Sequence, residues 1–246
     1  GNDVLDLRDG VFSVSSTIYG GPGDDIIDGT DNADTIYGGA GNDIIISQGG
    51  DDTIYGEEGN DSAQGGVGID RFFGGDGSDV FTCIRCDGRD IIEGGADESD
   101  AVVYVGNDLA ETFTLTAAGT RVDLARDVDN IHMDIAGVEQ IILQLAGGDD
   151  NAVVNDLYDT DVRLVNVRLG TAGTDAVTVQ GRNIPDTITA AASGTSVQVQ
   201  GLRYDIQIED ATSAADTLTI NGNDGDDTIK AIPGVESQIA IVLNGN

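Results

Sequence analysis

From Gly20 to Thr82 the sequence reads GGPGDDIID, GTDNADTIY, GGAGNDIII, SQGGDDTIY, GEEGNDSAQ, GGVGIDRFF, GGDGSDVFT, seven units of nine residues with no insertion. An aspartate holds the sixth place of every unit, at Asp25, Asp34, Asp43, Asp52, Asp61, Asp70 and Asp79. Two places later stands Ile27, Ile36, Ile45, Ile54, Ala63, Phe72 or Phe81. A fixed period of this kind dictates the architecture ahead of any local propensity, because every unit has to bend the chain in the same way.

Each unit has the form G-G-x-G-x-D-x-U-x, with U apolar. The glycine-rich first six residues make a turn, since glycine reaches positive φ without steric cost. The last three residues are short and extended, and period-2 alternation turns only U inward. One turn and one short strand reverse the chain once per unit, so two units close a coil of about 18 residues. Units n and n+2 then stack as parallel strands ~4.8 Å apart. The stacking predicts Asp25 over Asp43, Asp34 over Asp52, Asp43 over Asp61, Asp52 over Asp70 and Asp61 over Asp79. Two columns of carboxylates result, one along each edge.

Carboxylates stacked at that spacing repel unless neutralised. The chain carries 45 Asp and Glu against 11 Lys and Arg, a formal net charge of −34 over 246 residues. Without counter-ions such a chain repels itself in any compact state. A divalent cation is the simplest remedy, and hard oxygen donors favour calcium. An ion between successive turns would take two Asp carboxylates and turn carbonyls, about six oxygens in all. The same charge argues against nucleic acid and against anionic membrane surfaces. No apolar run approaches ~18 residues, so no membrane span is expected.

The units GGAGNDIII, GGVGIDRFF and GGDGSDVFT resemble the nonapeptide repeats of RTX, or hemolysin-type, calcium-binding proteins. The resemblance is close over residues 20–82 and loose over 1–19 and 83–103. It implies an all-β chain with a right-handed parallel β-roll over 1–103. It also implies several Ca2+ ions, export by a bacterial type I system, and a secreted, extracellular or cell-surface location, with folding on meeting external calcium. Carried over residue by residue, it implies the seven aspartates above as ligands. They are joined by the carbonyls of Gly20, Gly38, Ala40, Gly56, Glu58, Gly65, Val67, Gly74 and Asp76. Three departures stand out. Asn32 replaces the fourth glycine, which asparagine tolerates because it visits the left-handed region. Ser47 replaces a first glycine, and Ala63 replaces a large U residue, where the core should be thin.

The flanks carry the pattern in weaker form. Asp3 and Leu5 hold the Asp and U places of an earlier unit, and Gly10 and Val14 suggest a degenerate unit stretched by about four residues. The chain opens partway through a repeat without Met or a signal-peptide pattern, and reads as a piece of something longer. After Thr82 the phase slips by two residues and recovers in RCDGRDIIE, with Asp90 and Ile92 in place. GGADESDAVV follows, one residue longer, with Asp100 and Val102. GNDGDDTIK at 222–230 also fits the form, with Asp227 and Ile229; a calcium site and a plain turn are equally good readings there. Asp3, Asp90, Asp100 and Asp227 form a second set of candidate ligands. Cys83 and Cys86 leave both a local disulfide and two free thiols open. Zinc lacks ligands, because His132 is the only histidine.

Over 104–246 glycine thins out and alternating segments appear: TFTLT, RVDLA, IHMDI, QIILQLA, VRLVNVRL. They recur with Gly, Asp or Asn between them, as in an all-β chain. GNDLAETFTLTAAGTRVDL (106–124) aligns with GRNIPDTITAAASGTSVQV (181–199) at an offset of 75. The region therefore reads as two copies, about 95–169 and 170–246, with a third beginning where the chain stops. A β-solenoid continuing the roll with wider turns accounts for it, and a pair of β-sandwich modules is the alternative.

No nucleophile stands beside a base, and His132 lies in an alternating segment as a packed or surface imidazole. The chain is therefore expected to be a calcium-binding structural and folding module, not an enzyme. An adhesin or carbohydrate-binding module, with a glycan or cell-surface ligand for 104–246, is the alternative. A polysaccharide-modifying enzyme on a solenoid comes third, for want of a catalytic constellation.

Overall fold

A computed structural model describes residues 1–8, 14–84, 86–96, 99–212 and 215–245. The degenerate unit suggested at Gly10 lies outside the described residues. The chain is all-β, with two short 3-10 turns at Val128–Asn130 and Val235–Ser237. It forms two compact units: Gly1–Tyr104 with Asp129–Gln140, and Val105–Val128 with Ile141–Asn246.

The first unit is a parallel coil of two facing sheets. One holds the short strands Val4–Asp6, Ile26–Asp28, Ile44–Ile46, Ser62–Gln64, Val80–Ile84 and Ala101–Val105, in that order. The other holds Thr17–Pro22, Thr35–Ala40, Thr53–Glu58, Arg71–Asp76, Arg89–Gly95 and Ile131–Ala136. Neighbours pair one coil apart: Ile26 lies opposite Ile44, Ile36 opposite Ile54, and Ala63 opposite Phe81. The first coil is longer, since Val4 pairs with Ile26. The apolar place of every regular unit points inward and is buried, from Ile27 to Phe81 and on through Ile92 and Val102. Ala63 leaves least side chain in this column, and the Phe72 and Phe81 rings meet beside it at 5.6 Å. On the outer face Tyr19, Tyr37, Tyr55 and Phe73 stack in a row at 4.9–5.0 Å. Such same-face aromatic pairs stabilise a register beyond their buried area.

The phase slip after Thr82 is closed by a disulfide between Cys83 and Cys86, with Cα atoms 5.4 Å apart. Both cysteines are buried, so the pair acts as part of the core wall.

The second unit uses the same two-sheet plan with hairpins spliced in. One sheet runs Gln140–Gln144, Leu164–Arg168, Asp205–Glu209, Ser196–Gln200, Thr187–Ser193, Thr228–Ala231. The other runs Arg121–Arg126, Thr112–Ala118, Asn151–Val154, Ala176–Gln180, Thr217–Asn221, Ala240–Asn244. Most neighbours are parallel, as Ala152 with Val177 and Val177 with Leu218. This is a solenoid and not a pair of sandwich modules. The widening comes from antiparallel segments, Thr112–Ala118 with Arg121–Arg126, and Thr187–Ser193 with Ser196–Gln200, the latter strand pairing on antiparallel with Asp205–Glu209. They turn at Gly119 (φ 70°) and Gly194 (φ 63°), 75 positions apart, so the long repeat of the sequence is one hairpin-bearing coil set per copy.

Candidate metal centres along the turn columns

The repeat aspartates form two ladders in the first unit, held by main-chain hydrogen bonds. On one edge the N–H of Asp25 donates to Oδ1 of Asp43 (2.7 Å), Asp43 to Asp61 (2.8 Å), and Asp61 to Asp79 (2.8 Å). Asp79 then donates to Asp100 (2.8 Å), and Asp100 to Oε2 of Glu139 (2.9 Å). Asp3 starts this ladder by donating to Asp25 (2.7 Å). On the other edge Ser16 donates to Asp34 (2.8 Å), Asp34 to Asp52 (2.7 Å), Asp52 to Asp70 (2.9 Å) and Asp70 to Asp90 (2.9 Å). The expected stacking one coil apart is therefore present, and each rung consumes one carboxylate oxygen.

The second oxygen is what matters for a cation. Oδ2 of Asp25, Asp43, Asp52, Asp61, Asp70 and Asp90 is buried with no hydrogen-bond donor. Orphaned carboxylate oxygens at this depth are costly and call for a partner. They sit where glycine leaves room. A β-carbon built on Gly20 would lie 2.5 Å from the Gly38 carbonyl oxygen and 2.7 Å from Oδ2 of Asp25. Gly38, Gly56 and Gly74 repeat this: each faces Oδ2 of its own aspartate and a carbonyl oxygen of the next coil. A carboxylate and a carbonyl, both acceptors, thus converge on one small space. At Asp52 the first glycine is Ser47, whose hydroxyl donates to the Gly65 carbonyl (2.7 Å) and also works against the rise of the Asp52 pKa.

The third-place carbonyls also have partners. Ala40 accepts from the Gly23 N–H, Glu58 from Gly41, Val67 from Gly50 and Asp76 from Gly59, at 2.7–2.8 Å. Each keeps a second lone pair. Among the described residues no three His, Cys, Asp or Glu side chains converge on one point. An ion here would rest on one free carboxylate oxygen and on main-chain carbonyls. That donor set is all oxygen, anionic and rich in carbonyls, and it fits calcium.

Asp34 differs. Its Oδ2 accepts from the N–H and the hydroxyl of Thr30, both at 2.9 Å. Asp227 keeps a buried, unpartnered Oδ2 in the second unit, beside Gly222.

Electrostatics follows burial. Desolvation pushes Asp52 up to about 7, Asp61 and Asp70 to about 6 and Asp90 to about 8, against the lowering effect of the N–H each accepts. Asp43 is raised for the same reason. Charged neighbours add to the rise, as Asp70 and Asp34 do for Asp52. The columns hold carboxylates whose ionised form is under-solvated, which a cation reverses.

Sequence reasoning missed several ladder members. Glu111, Asp150, Asp175 and Asp216 form a third ladder, each N–H on the next carboxylate at 2.9–3.0 Å. Asp186 donates to Asp227 at 2.9 Å. The available signal was a five-residue spacing, Gly106 to Glu111 and Gly181 to Asp186, which survives where the nonapeptide does not. Asn2, Asp24, Asn42 and Asn60 make a further outer ladder from the fifth place of alternate units.

Compared with known proteins, residues 15–30, 19–54, 28–63, 55–82 and 219–231 match the family model of the RTX calcium-binding nonapeptide repeat. No curated protein matches the chain.

Proposed function

This chain carries RTX calcium-binding nonapeptide repeats, and on that premise we propose that it is a calcium-driven folding module of a secreted bacterial protein. The observation that carries this reading is the row of buried carboxylate oxygens with no protein donor along both turn columns of the first unit. They cost free energy in the folded chain until a cation meets them. The ligands come together only when successive coils stack, so binding energy is folding energy. Where calcium is scarce the first unit's charge keeps it open, which suits export as an unfolded chain. Where calcium is plentiful the coil closes. No helix among the described residues is long and apolar enough to cross a membrane.

The test is far-UV circular dichroism of the full chain in chelator and then in millimolar calcium. A strand spectrum that grows on adding calcium supports the reading, and one indifferent to chelation overturns it.

A second reading is an adhesive or glycan-binding surface on the second unit. It rests on Tyr158, 44% exposed, with the guanidinium groups of Arg182 and Arg203 5.1 and 5.7 Å from its ring centre. An aromatic ring flanked by donors suits a sugar face. Loss of glycan-array binding in Tyr158→Ala would support it, and an array blank for the parent chain would remove it.

A further inference from the structure

Most of the carboxylate turns fall into two states separated by one backbone angle; the Asp90 and Asp175 turns belong to neither. The residue four places before the acid decides. Before Asp25, Asp43 and Asp70 it is Gly21 (φ 101°), Gly39 (φ 119°) and Gly66 (φ 94°). Before Asp52 and Asp61 it is Gln48 (φ 79°) and Glu57 (φ 80°), held in the left-handed region without being glycine. In all five turns Oδ2 of the acid is buried and has no donor.

The other state lacks the positive φ. Thr30, Asn107, Arg182 and Thr212 stand four places before Asp34, Glu111, Asp186 and Asp216, and none of the four lies in the left-handed region. In each case their own N–H points back at the acid's second oxygen: Thr30 at 2.9 Å, Asn107 at 3.1 Å, Arg182 at 2.6 Å and Thr212 at 2.7 Å. Side chains complete the closure. The hydroxyls of Thr30 and Thr212 donate to the same oxygens at 2.9 and 3.1 Å. Arg182 grips Oδ1 of Asp186 and Arg126 pairs with Glu111. A positive φ swings the N–H away and leaves the oxygen bare. An ordinary φ lets the chain cap its own carboxylate, as a capping side chain and a turn N–H do elsewhere.

We infer that this angle sets the calcium occupancy of the turns in these two classes, independently of how well each matches the nonapeptide pattern. The inference rests on the calcium reading above and deepens it. It assigns no ion to Asp34, although Asp34 stands inside the matched repeats. It assigns an ion to Asp150, which lies outside every matched segment. Asp150 is 2% exposed, its Oδ2 has no donor, and Ala146 four places before it holds φ 67°. Asp227, preceded by Asn223 at φ 65°, belongs to the same open class. Glu111, Asp186 and Asp216 carry their compensation within the protein and take no ion. Asp90 is reached differently: its turn carries the insertion and the Cys83–Cys86 disulfide, and its Oδ2 is also bare.

Calcium bound per chain, measured on the full protein by equilibrium dialysis with metal analysis, tests the assignment. Thr30→Gly frees the Asp34 oxygen and should raise the count by about one. Asp150→Asn should lower it by about one, and Asp216→Asn should leave it unchanged. Far-UV circular dichroism in calcium checks that each variant folds; should Asp150→Asn fail to fold, Ala146→Thr, which closes the same turn, replaces it with the same expected loss. No gain in Thr30→Gly, no loss at the Asp150 turn, or a loss in Asp216→Asn would each overturn the rule. A parent chain that binds no calcium would instead sink the functional reading, so the two failures are distinct.

Discussion

The main-chain N–H of Asp43 donates to Oδ1 of Asp61 at 2.8 Å, one full coil further along the chain. Identical side chains thus bond through backbone to carboxylate and not through a shared cation alone. The ladder sets the register, and at Asp61 it leaves the second carboxylate oxygen buried without a donor.

Removing a rung acts along one edge only. Asp43→Ala takes away the acceptor of the Asp25 N–H and one bare oxygen, but leaves the Asp34 to Asp52 bond untouched. A buried donor left unsatisfied costs about 1–3 kcal/mol. Urea unfolding at saturating calcium should show a loss of that size, with calcium affinity lowered as well.

The chelated protein should be most stable in acid. Asp52, Asp61, Asp70 and Asp90 are raised by burial to about 7, 6, 6 and 8. A carboxyl with its folded pKa above the unfolded one binds more protons when folded. Its stabilising effect is complete below the unfolded value of 3.8 and is lost as pH rises through about 6 to 8. The strand signal of the chain in chelator should fall in that order at pH 5, 6, 7 and 8. Calcium added at pH 6.5 should release protons, seen as a calorimetric heat that varies with the buffer's ionisation enthalpy.

Relieving strain should stabilise without emptying the turns. Gln48 and Glu57 hold positive φ as L-residues, a conformation costing about 1–2 kcal/mol. Gln48→Gly and Glu57→Gly should each raise the urea midpoint by up to about that amount while calcium bound per chain stays constant. An unchanged midpoint would mean the turn carries no strain.

The core is most vulnerable where the column is thin. Phe81 is buried opposite Ala63 and beside Phe72. Phe81→Ala leaves a space that Ala63 cannot fill and should cost about 3–5 kcal/mol. Ile54→Val, in a full part of the column, should cost about 0.5–1.5 kcal/mol by the same urea assay.

The Cys83–Cys86 bond closes a very short loop, so its entropic effect is small. A loop of this size is worth about 2 kcal/mol in the chain-entropy model. Thermal unfolding with and without reductant should differ by a few degrees, and reduction should leave calcium binding by residues 20–82 intact.

The nine-residue period by itself determined the coil of the first unit. Two units per turn, the inward U residues and the pairing of aspartates 18 apart all follow from spacing, because glycine turns and alternation admit one geometry. The 75-residue offset marked the second region as repeated, but the hairpins at Gly119 and Gly194 that widen it came only with the structure. Tertiary structure alone decided what each aspartate does with its second oxygen. Asp34 and Asp43 hold the same place in the repeat, yet Thr30 caps one and Gly39 turns away from the other. That difference lives in a backbone angle and a donor four residues away, and residue type suggests it only in part, since Gln48 and Glu57 take the angle that glycine would. Glu139 joins the column from the bend after Ile131–Ala136, 39 residues beyond Asp100. No local pattern marks it, because its role exists only once the coils have stacked.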